Sequence, residues 1–425
     1  MTVILFISLL VCFLMNIPIA ISIALASVAA ILYQGSIPLV VVVQKMVIAA
    51  DSFPLMAVPF FVLAGSVMEH GGISKKLINC ANAIVGRFTG GLALVAVIAS
   101  LFFGAISGSA AATVAAIGGI LIPSMVRRGY DVDYATAVQA TAGTLGVMIP
   151  PSIPMVVYGV LTGASIGTLF IAGIFPGILV GISLMIVAYI IAKKKGYRGE
   201  ARSSKADIIK AFKDAIFALL MPVIILGGIY GSVFTPTEAA VVAVVYGFII
   251  GAFVYKELKL SKIKEVLLST AVTTGTVMFI IATAAIFGWI LASEQIPQVV
   301  AVSILSISDN PIVILALINI LLLILGTFME TVAAIIIVVP VLMPIINQMG
   351  IDPIQFGIIV VVNLAIGMVT PPLGVCLFVG CGISNIKLEA ITKAIWPFLI
   401  VMIIDIILLT YIPAISTFLP RLLGM

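Results

Sequence analysis

The chain has 425 residues, of which 63% are hydrophobic and only 9% are charged. A soluble domain carries about a quarter charged residues, so this composition excludes a water-soluble globular protein and indicates one that folds in lipid. The net charge of +5 does not indicate a nucleic-acid partner. Most cations lie in short loops between apolar segments, where they determine topology in a membrane.

The first apolar segments predict three spans and an interfacial arm. The runs Val3–Met15, Pro18–Tyr33 and Phe53–Met68 are the predicted spans. The following segment carries three basic residues between positions 75 and 87 and is too polar to span. We therefore predict an amphipathic helix that lies at the membrane surface.

A re-entrant hairpin is predicted over residues 91–126. Basic residues flank both ends, and because Lys and Arg mark the cytoplasmic side, the segment must cross the membrane an even number of times. Its arms of about 13 and 17 residues are shorter than the ~20 that a span needs. The tip falls at Ser107, Gly108 and Ser109, whose backbone must line a cavity or bind a ligand.

The next run, Tyr134–Leu161, predicts a broken helix. Gly143, Gly146 and Pro150–Pro151 interrupt it. Proline removes a backbone donor and clashes with the preceding turn, so the helix is expected to break near the middle of the membrane. The run Leu169–Ala192 then returns to a strongly basic loop.

The second half repeats this plan. Three spans, an apolar arm, a hairpin, a broken helix and a last span are predicted, in that order, over Ile216–Phe234, Ala239–Tyr255, Ile263–Leu291, Gln298–Ser308, Pro311–Met349, Gln355–Ser384 and Ile395–Leu419. The second hairpin tip falls at Gly326–Glu330, and the second helix is interrupted at Gly367 and Thr370–Pro372.

The two copies keep one register but differ in charge. Asp131 and Pro150 recur as Asp352 and Pro371, 221 residues later. Arg127–Arg128, however, become uncharged, and no Lys or Arg occurs between residues 265 and 385, as expected of an extracytoplasmic side. Five spans per half, an odd number, would invert the second copy. We therefore predict an all-α polytopic membrane protein with inverted repeats of five spans each, two re-entrant helical hairpins, two broken helices and an outward N-terminus, an arrangement typical of secondary transporters.

Hairpin tips and helix breaks that enter from opposite faces are predicted to meet near the midplane. Freed carbonyls there can coordinate a small cation, and helix N-termini present positive dipole ends. The first predicted cation site combines Ser107 and Ser109 with backbone near Gly146, Met148 and Pro150, and the second combines Gly326, Thr327, Gly367 and Thr370. Hard oxygen donors suit Na⁺. Each hydroxyl alone could instead bond its own helix or pack against a neighbour.

Ser152 and Glu330 are expected to contact the substrate. Glu330 is the acid nearest a predicted midplane site, and it could bind a cation, carry a proton or accept backbone donors at a helix start. In the second tip, Met329 and Glu330 are aligned with Ser107 and Gly108 of the first tip. The two cation sites are therefore not expected to be chemically identical.

At these motifs the sequence resembles the large membrane subunit (DctM/SiaM type) of TRAP transporters, the tripartite ATP-independent periplasmic transporters. The matching segments are Pro54–Phe61, Pro150–Gly159, Phe234–Ala240, Gly350–Pro353 and Gly367–Gly374. They occur in the right order and cover essentially the whole chain. The sequence looks most like the sialic acid branch of this family.

The resemblance implies an elevator-type fold of the ion-transporter superfamily, with a mobile transport domain on a scaffold. On this basis the predicted division is residues 1–90 scaffold and arm, 91–165 transport domain, 166–310 scaffold, basic loop and second arm, 311–385 transport domain, and 386–425 last scaffold helix. The resemblance also implies Na⁺-coupled uptake of an organic acid across the bacterial inner membrane. Sialic acid is the expected substrate, with a C4-dicarboxylate or another carboxylate as the alternative. The implied partners are a small four-helix membrane subunit on a separate chain and a soluble periplasmic substrate-binding protein.

Other classes of function fit the sequence less well. A channel would show a selectivity filter or a charged ring, and neither is visible. An intramembrane enzyme would need a nucleophile with a base, paired carboxylates or clustered metal ligands, whereas this chain has a single histidine, His70, and four cysteines without zinc-ligand or redox spacing. No Walker A motif is present, so ATP hydrolysis by this chain is not expected.

Overall fold

The computed structural model describes residues 1–200, 204–305 and 310–425, and within these ranges every regular element is a helix. Ten helical segments of the described chain are long and apolar enough to cross a membrane. The predicted all-α polytopic fold is confirmed. The ten segments are not the ten predicted spans. They include three arms of the predicted hairpins and leave out three predicted spans, which are the short helices Thr2–Leu14 and Ile19–Gln34 and the second broken helix, Pro353–Gly367 with Val375–Ser384.

The first half contains eleven α-helices. They are α1 (Thr2–Leu14), α2 (Ile19–Gln34), α3 (Val40–Ala50), α4 (Ala57–His70), α5 (Ile73–Val85), α6 (Gly91–Ser107), α7 (Ala110–Arg127), α8 (Val132–Gly143), α9 (Leu145–Met148), α10 (Ile153–Thr162) and α11 (Ile166–Lys195). Helix α5 is the predicted surface arm. Helix α3, which was not predicted, leads into a 3₁₀ turn at Phe53–Met56.

The described part of the second half contains ten α-helices. They are α12 (Lys205–Tyr230), α13 (Pro236–Ile249), α14 (Leu260–Ser293), α15 (Ile296–Leu305), α16 (Pro311–Phe328), α17 (Thr331–Gln348), α18 (Pro353–Gly367), α19 (Val375–Ser384), α20 (Leu388–Tyr411) and α21 (Ala414–Leu422). A π-helical turn, Ile250–Val254, extends α13. The end of the predicted second arm, residues 306–308, and Arg202 of the basic loop lie outside the described residues.

The last predicted span is wrong at its C-terminal end. Helix α20 stops at Tyr411, and the short helix α21 follows after Pro413. Proline at this point lacks the N–H that would continue the hydrogen-bond ladder, so the apolar run that the sequence presents as one span becomes two helices.

The first hairpin turns at the predicted tip. Helix α6 ends at Ser107, and Gly108 has a φ of 62°, which glycine adopts without strain. Ser109 is extended and caps α7, because its side chain accepts a hydrogen bond from the amide of Ala112. In the second hairpin, α16 ends at Phe328 and Glu330 caps α17.

Both predicted broken helices are interrupted where glycine and proline occur. Helix α8 stops at Gly143 and α10 begins at Ile153, while α18 stops at Gly367 and α19 begins at Val375. A cis peptide bond lies in each gap, at Pro150–Pro151 and at Pro371–Pro372. The two cis bonds are 221 residues apart, which is the same separation as between Asp131 and Asp352.

Helix α11 places the two related loops at opposite ends of the molecule. It has 30 residues and is therefore about 45 Å long. Its last residue, Lys195, donates a hydrogen bond of 2.5 Å to Asp131. At its other end, Ser165 and Thr168 line a cavity together with Asp352. Asp131 and Asp352, which are 221 residues apart in the sequence, therefore lie near opposite ends of α11.

The Asp131–Lys195 contact belongs to a polar cluster at the end that is predicted to be cytoplasmic. Arg128 pairs with Glu200 at 2.8 Å, and Glu200 also accepts from Asn82 at 2.8 Å. The Lys195 ammonium, followed by the Tyr197 hydroxyl, holds the pKa of Asp131 below its ordinary value. The side chain of Asp131 is 57% exposed, so water screens much of this interaction.

The helices form two packed groups. In the first, α7 packs against α19 and α17 packs against α10, so each hairpin contacts the broken helix of the other half. Helices α11 and α20, which the prediction assigns to the scaffold, pack against each other and against this group. The second group consists of α1 to α4 and α12 to α14. The candidate site lies where the groups meet.

Candidate substrate cavity and cation sites

A cavity of about 590 Å³ lies between the two groups of helices. The first hairpin tip contributes Ser107, Gly108 and Ser109, and the second contributes Glu330. The opposite wall consists of residues from the start of α2, from α4 and from α14. Residues of both hairpin tips therefore line one cavity.

Four helix N-termini face this cavity. It is lined by Ala110–Ala112 of α7, Ile153 of α10, Val332 of α17 and Val375 of α19, all within the first turns of their helices. The amides of Ala110 and Ala111 have no hydrogen-bond partner among the described residues. A helix N-terminus carries about half a positive charge, and its free amides point outward. The cavity is therefore suited to an anion.

The side chains that line the cavity add no positive charge. Within the described chain its lining contains the acids Glu69 and Glu330 and no Lys, Arg or His. A bound anion would therefore depend on backbone amides and on any cation that binds with it.

The first predicted cation site brings several oxygens together. The Ser107 hydroxyl lies 3.1 Å from the Thr113 hydroxyl and 3.3 Å from the carbonyl oxygen of Ser109. Thr113 donates to the same carbonyl at 2.8 Å. Gly146 packs directly on this group, since a Cβ atom placed there would lie 2.5 Å from the Ser109 carbonyl. Hydroxyl and carbonyl oxygens in this cluster are the donors that Na⁺ prefers.

Three other predicted residues of the first half lie away from this oxygen cluster. The Met148 carbonyl faces α11, 2.9 Å from where a Cβ of Gly173 would be, and Pro150 is buried in the break. Ser152 is fully buried; its hydroxyl donates to the Val147 carbonyl at 2.6 Å and accepts from the amide of Met155. Ser152 caps α10 and does not line the cavity.

The residues of the second predicted cation site also lie together. A Cβ atom on Gly367 would be 2.5 Å from Gly326 Cα, so the two glycines are in contact. The Thr327 hydroxyl donates to the Ile324 carbonyl at 2.6 Å, and the Thr370 hydroxyl donates to its own helix at 2.9 Å. Both threonines line a separate cavity of about 280 Å³. Each hydroxyl oxygen keeps a lone pair that could accept a cation.

Glu330 caps a helix and also faces the main cavity. Its carboxylate accepts from the amides of Val332 at 2.8 Å and Ala333 at 3.2 Å. Glu330 therefore accepts backbone donors at the start of a helix, which is one of the three roles predicted for it. Its equivalent in the first tip is Ser109, which caps α7 in the same way, so the alignment of Met329–Glu330 with Ser107–Gly108 was wrong by one residue.

Sequence reasoning missed several polar residues of the site. Thr113 lies one turn after Ser109 and completes the first oxygen cluster. Ser269, Thr273 and Thr276 line the cavity from α14. Their spacing of four and three residues places them on one helix face, which is a signal that the sequence does contain.

No group of three or more His, Cys, Asp or Glu residues within the described ranges could hold a metal ion. The four cysteines are buried and free.

The fold and this cavity define a polytopic membrane transporter built on hairpins and broken helices. The chain belongs to the family described as "Tripartite ATP-independent periplasmic transporter, DctM component", whose profile matches residues 6–415. It is thus the large permease subunit of a TRAP transporter, a multi-pass protein of the bacterial inner membrane.

Several curated relatives are similar over most of the chain. The isethionate TRAP transporter permease protein DctMQ of Oleidesulfovibrio alaskensis is 48% identical over 95% of this chain, which spans 64% of that relative's length. The C4-dicarboxylate TRAP transporter large permease protein DctM of Pseudomonas aeruginosa is 46% identical over 90% of this chain and 89% of its own. The sialic acid TRAP transporter large permease protein SiaM of Vibrio cholerae is 41% identical over 95% of both. These identities do not single out the sialic acid branch.

A solved structure shares the fold. The YdaH transporter of Alcanivorax borkumensis matches with a TM-score of 0.60 over 87% of this chain and 86% of its own. The two sequences are only 14% identical, so the similarity concerns the fold alone.

Proposed function

We propose that this permease carries an organic anion into the cell together with Na⁺, and that it does so by an elevator mechanism. The observation that supports this most strongly is the convergence of both hairpin tips and four helix N-termini on one cavity without a basic side chain in its described lining. Such a cavity attracts an anion through backbone dipoles and leaves part of its charge uncompensated.

Na⁺ supplies the missing positive charge. The oxygen cluster of Ser107, Ser109 and Thr113 adjoins the amides that face the cavity, so a cation there would lie close to the bound anion. The attraction between the two favours their binding together. We assign one Na⁺ site to this cluster with Gly146 and a second to Gly326, Thr327, Gly367 and Thr370.

The moving body follows from the packing. The cross-contacts α7–α19 and α10–α17 join the two hairpins and the two broken helices into one unit. Helices α11 and α20 pack on this unit and would travel with it. The cavity lies between this unit and α2, α4 and α14, so a displacement of the unit along the membrane normal would carry the bound ions past a fixed wall.

The substrate is a small organic acid. Sialic acid is the first candidate, and a C4-dicarboxylate or another carboxylate is the alternative, while the similarity to the DctMQ relative adds isethionate. A periplasmic substrate-binding protein would deliver the substrate, and a small four-helix membrane subunit on a separate chain would complete the transporter.

Uptake into proteoliposomes tests the proposal. The chain, its small subunit and the cognate binding protein are reconstituted, and accumulation of a labelled organic acid is measured with an inward Na⁺ gradient and with choline in its place. Accumulation is expected only with Na⁺. Equal accumulation under both conditions would refute the coupling.

A pair of serine variants tests the first Na⁺ site. Ser107→Ala removes a hydroxyl from the oxygen cluster, and the Na⁺ concentration for half-maximal uptake should rise on the order of ten-fold, which corresponds to about 1.4 kcal/mol. Ser124→Ala is the matched control, because that hydroxyl bonds the carbonyl of Ile120 on an exposed face of α7. Equal Na⁺ dependence of the two variants would remove Ser107 from the site.

A further inference from the structure

The cavity has two chemically different walls. The mobile-side wall carries the hairpin tips, the four helix N-termini and the carboxylate of Glu330, which already accepts from two amides of α17. The free backbone donors of this wall are therefore at the first tip, on Ala110 and Ala111. The wall from α4 and α14 carries one carboxylate, Glu69, and a set of hydroxyls, which are those of Ser66, Ser269, Thr273 and Thr276. A substrate that spans the cavity from the first tip therefore meets amide donors at one end and a carboxylate with hydroxyls at the other.

Glu69 lies close to the first hairpin tip. Helix α4 touches the tip at Gly65, where a Cβ atom would lie 3.2 Å from Ser107 Cα. Glu69 is four residues further along, on the same helix face and about 6 Å away along the axis. A molecule held by the tip amides is therefore within reach of its carboxylate.

The carboxylate of Glu69 has no partner of its own. No described residue donates a hydrogen bond to it or forms an ion pair with it. The neighbouring His70 turns elsewhere, since its Nδ1 lies 2.9 Å from the Ser66 carbonyl and its Nε2 lies 3.9 Å from Glu265. An unpaired acid that faces a cavity is a costly feature unless it acts on what the cavity binds.

We infer that Glu69 determines the substrate class. The cavity takes a substrate with a single acid group that carries hydroxyl or ammonium donors at the end remote from this group, and Glu69 excludes dianions. This inference rests on the proposed function. The acid group binds at the tip amides, and the donors face Glu69 and the hydroxyls of α14. A second carboxylate would instead face Glu69, and at about 7 Å in a partly hydrated cavity this repulsion weakens binding on the order of ten-fold to fifty-fold.

Ligand-induced thermal stabilisation of the purified permease in Na⁺ tests this inference without the specificity of the binding protein. The probes are gluconate (a polyhydroxy monoanion), 4-aminobutyrate (a zwitterion whose ammonium group is remote from its carboxylate and which has no hydroxyl) and succinate (a dianion). Gluconate, 4-aminobutyrate or both should stabilise the protein at concentrations at least ten-fold lower than the succinate concentration that gives the same effect. The comparison of gluconate with 4-aminobutyrate distinguishes hydroxyl from ammonium donors.

The variant Glu69→Gln removes the charge and keeps the size of the side chain. The ratio of succinate affinity to gluconate affinity should be at least ten-fold higher in this variant than in the wild type. Glu257→Gln is the matched control, because this exposed acid lies beside Gly72, just after the end of α4, and does not line the cavity. The ratio of succinate affinity to gluconate affinity in this control should stay at the wild-type value.

Two results would overturn the inference. One is succinate binding to the wild type as tightly as gluconate and 4-aminobutyrate, a measurement that does not depend on any variant folding. The other is an unchanged ratio in a folded Glu69→Gln protein. If succinate binds in a Na⁺-dependent way, the proposed function stands and only the selectivity fails; if no acid stabilises the protein with or without Na⁺, both fail.

Discussion

The contact between Gly367 and Gly326 provides a direct test of how the second cation site is assembled. Helix α18 meets α16 at these two residues, and a Cβ atom added to Gly367 would lie 2.5 Å from Gly326 Cα and 3.0 Å from the carbonyl oxygen of Leu323. Both neighbours are backbone atoms, which cannot rotate away as a side chain would. Gly367→Ala must therefore push the two helices apart.

The size of the effect follows from these distances. Carbon atoms in contact are normally about 3.5–4.0 Å apart, so the helices must separate by about 1 Å at this point. Overpacking of this kind costs about 1–3 kcal/mol, whereas the better helix propensity of alanine returns about 0.5–1 kcal/mol. The separation also moves Thr327 away from Thr370. Because a binding site tolerates displacements of only about 0.5 Å, the apparent Na⁺ affinity should fall on the order of ten-fold.

Thermal unfolding in detergent, measured over a series of Na⁺ concentrations, reports both effects. Gly367→Ala should unfold at a lower temperature and need more Na⁺ for the same stabilisation. Gly382→Ala is the control, since this helical glycine has no atom within 4 Å of an added Cβ. It should be as stable as the wild type or slightly more stable. If Gly367→Ala behaves like Gly382→Ala in both measurements, the close approach of α16 and α18 does not define a cation site.

Four further substitutions, at three positions, test other parts of the site and the fold. Glu330→Gln keeps an oxygen that can accept from Val332 and Ala333 and should unfold like the wild type, whereas Glu330→Ala should lose about 1 kcal/mol of stability in the same thermal assay. Thr113→Val removes the hydroxyl that bonds the Ser109 carbonyl and should lower both stability, by about 1 kcal/mol, and apparent Na⁺ affinity in Na⁺-dependent thermal shifts. Lys195 lowers the pKa of Asp131 in the folded state, so the ion pair stabilises the folded protein. This stabilisation is present above the pKa of Asp131 in the unfolded chain, about 4, and is lost as the pH falls through the pKa of Asp131 in the folded protein. Asp131→Asn should therefore lower the unfolding temperature at pH 7 and lose less stability than the wild type between pH 4 and pH 3, and an identical pH profile would contradict the role of this ion pair.

The interruptions of the membrane helices could be predicted from the sequence because their causes are local. Gly108 ends α6 by adopting a positive φ, and Gly143 and Gly367 end the helices that precede the two double prolines. These effects depend on the residue itself and its immediate neighbours. The positions of the hairpin tips and of the breaks follow from them without knowledge of the tertiary structure.

The composition of the two helix groups could not be predicted in this way. Helices α11 and α20 are apolar runs like any other span, and nothing in their composition distinguishes a helix that packs on the hairpins from one that packs in the scaffold. Lipid and protein interior are similarly apolar, so hydrophobicity does not report which face is buried. Their place became visible only from the contacts with α8 and α18. The same holds for Glu69, which directly follows the predicted span Phe53–Met68 in the sequence and lines the cavity in the structure.

Ser109 and Glu330 occupy equivalent positions in the two halves of the repeat, and their different side chains give the two hairpin tips different binding properties. Both residues cap the second arm of their hairpin, and both line the same cavity. A neutral hydroxyl at the first cap leaves the amides of Ala110 and Ala111 free for an anion, whereas the carboxylate at the second cap uses two amides of α17 and places a negative charge beside the cavity. The acid group of a substrate should therefore bind at the first tip, and a cation near the second tip would be attracted by Glu330. Both halves contribute helix N-termini to the cavity. The difference between Ser109 and Glu330 makes its first-tip end favourable for the acid group of the substrate and its second-tip end favourable for a cation.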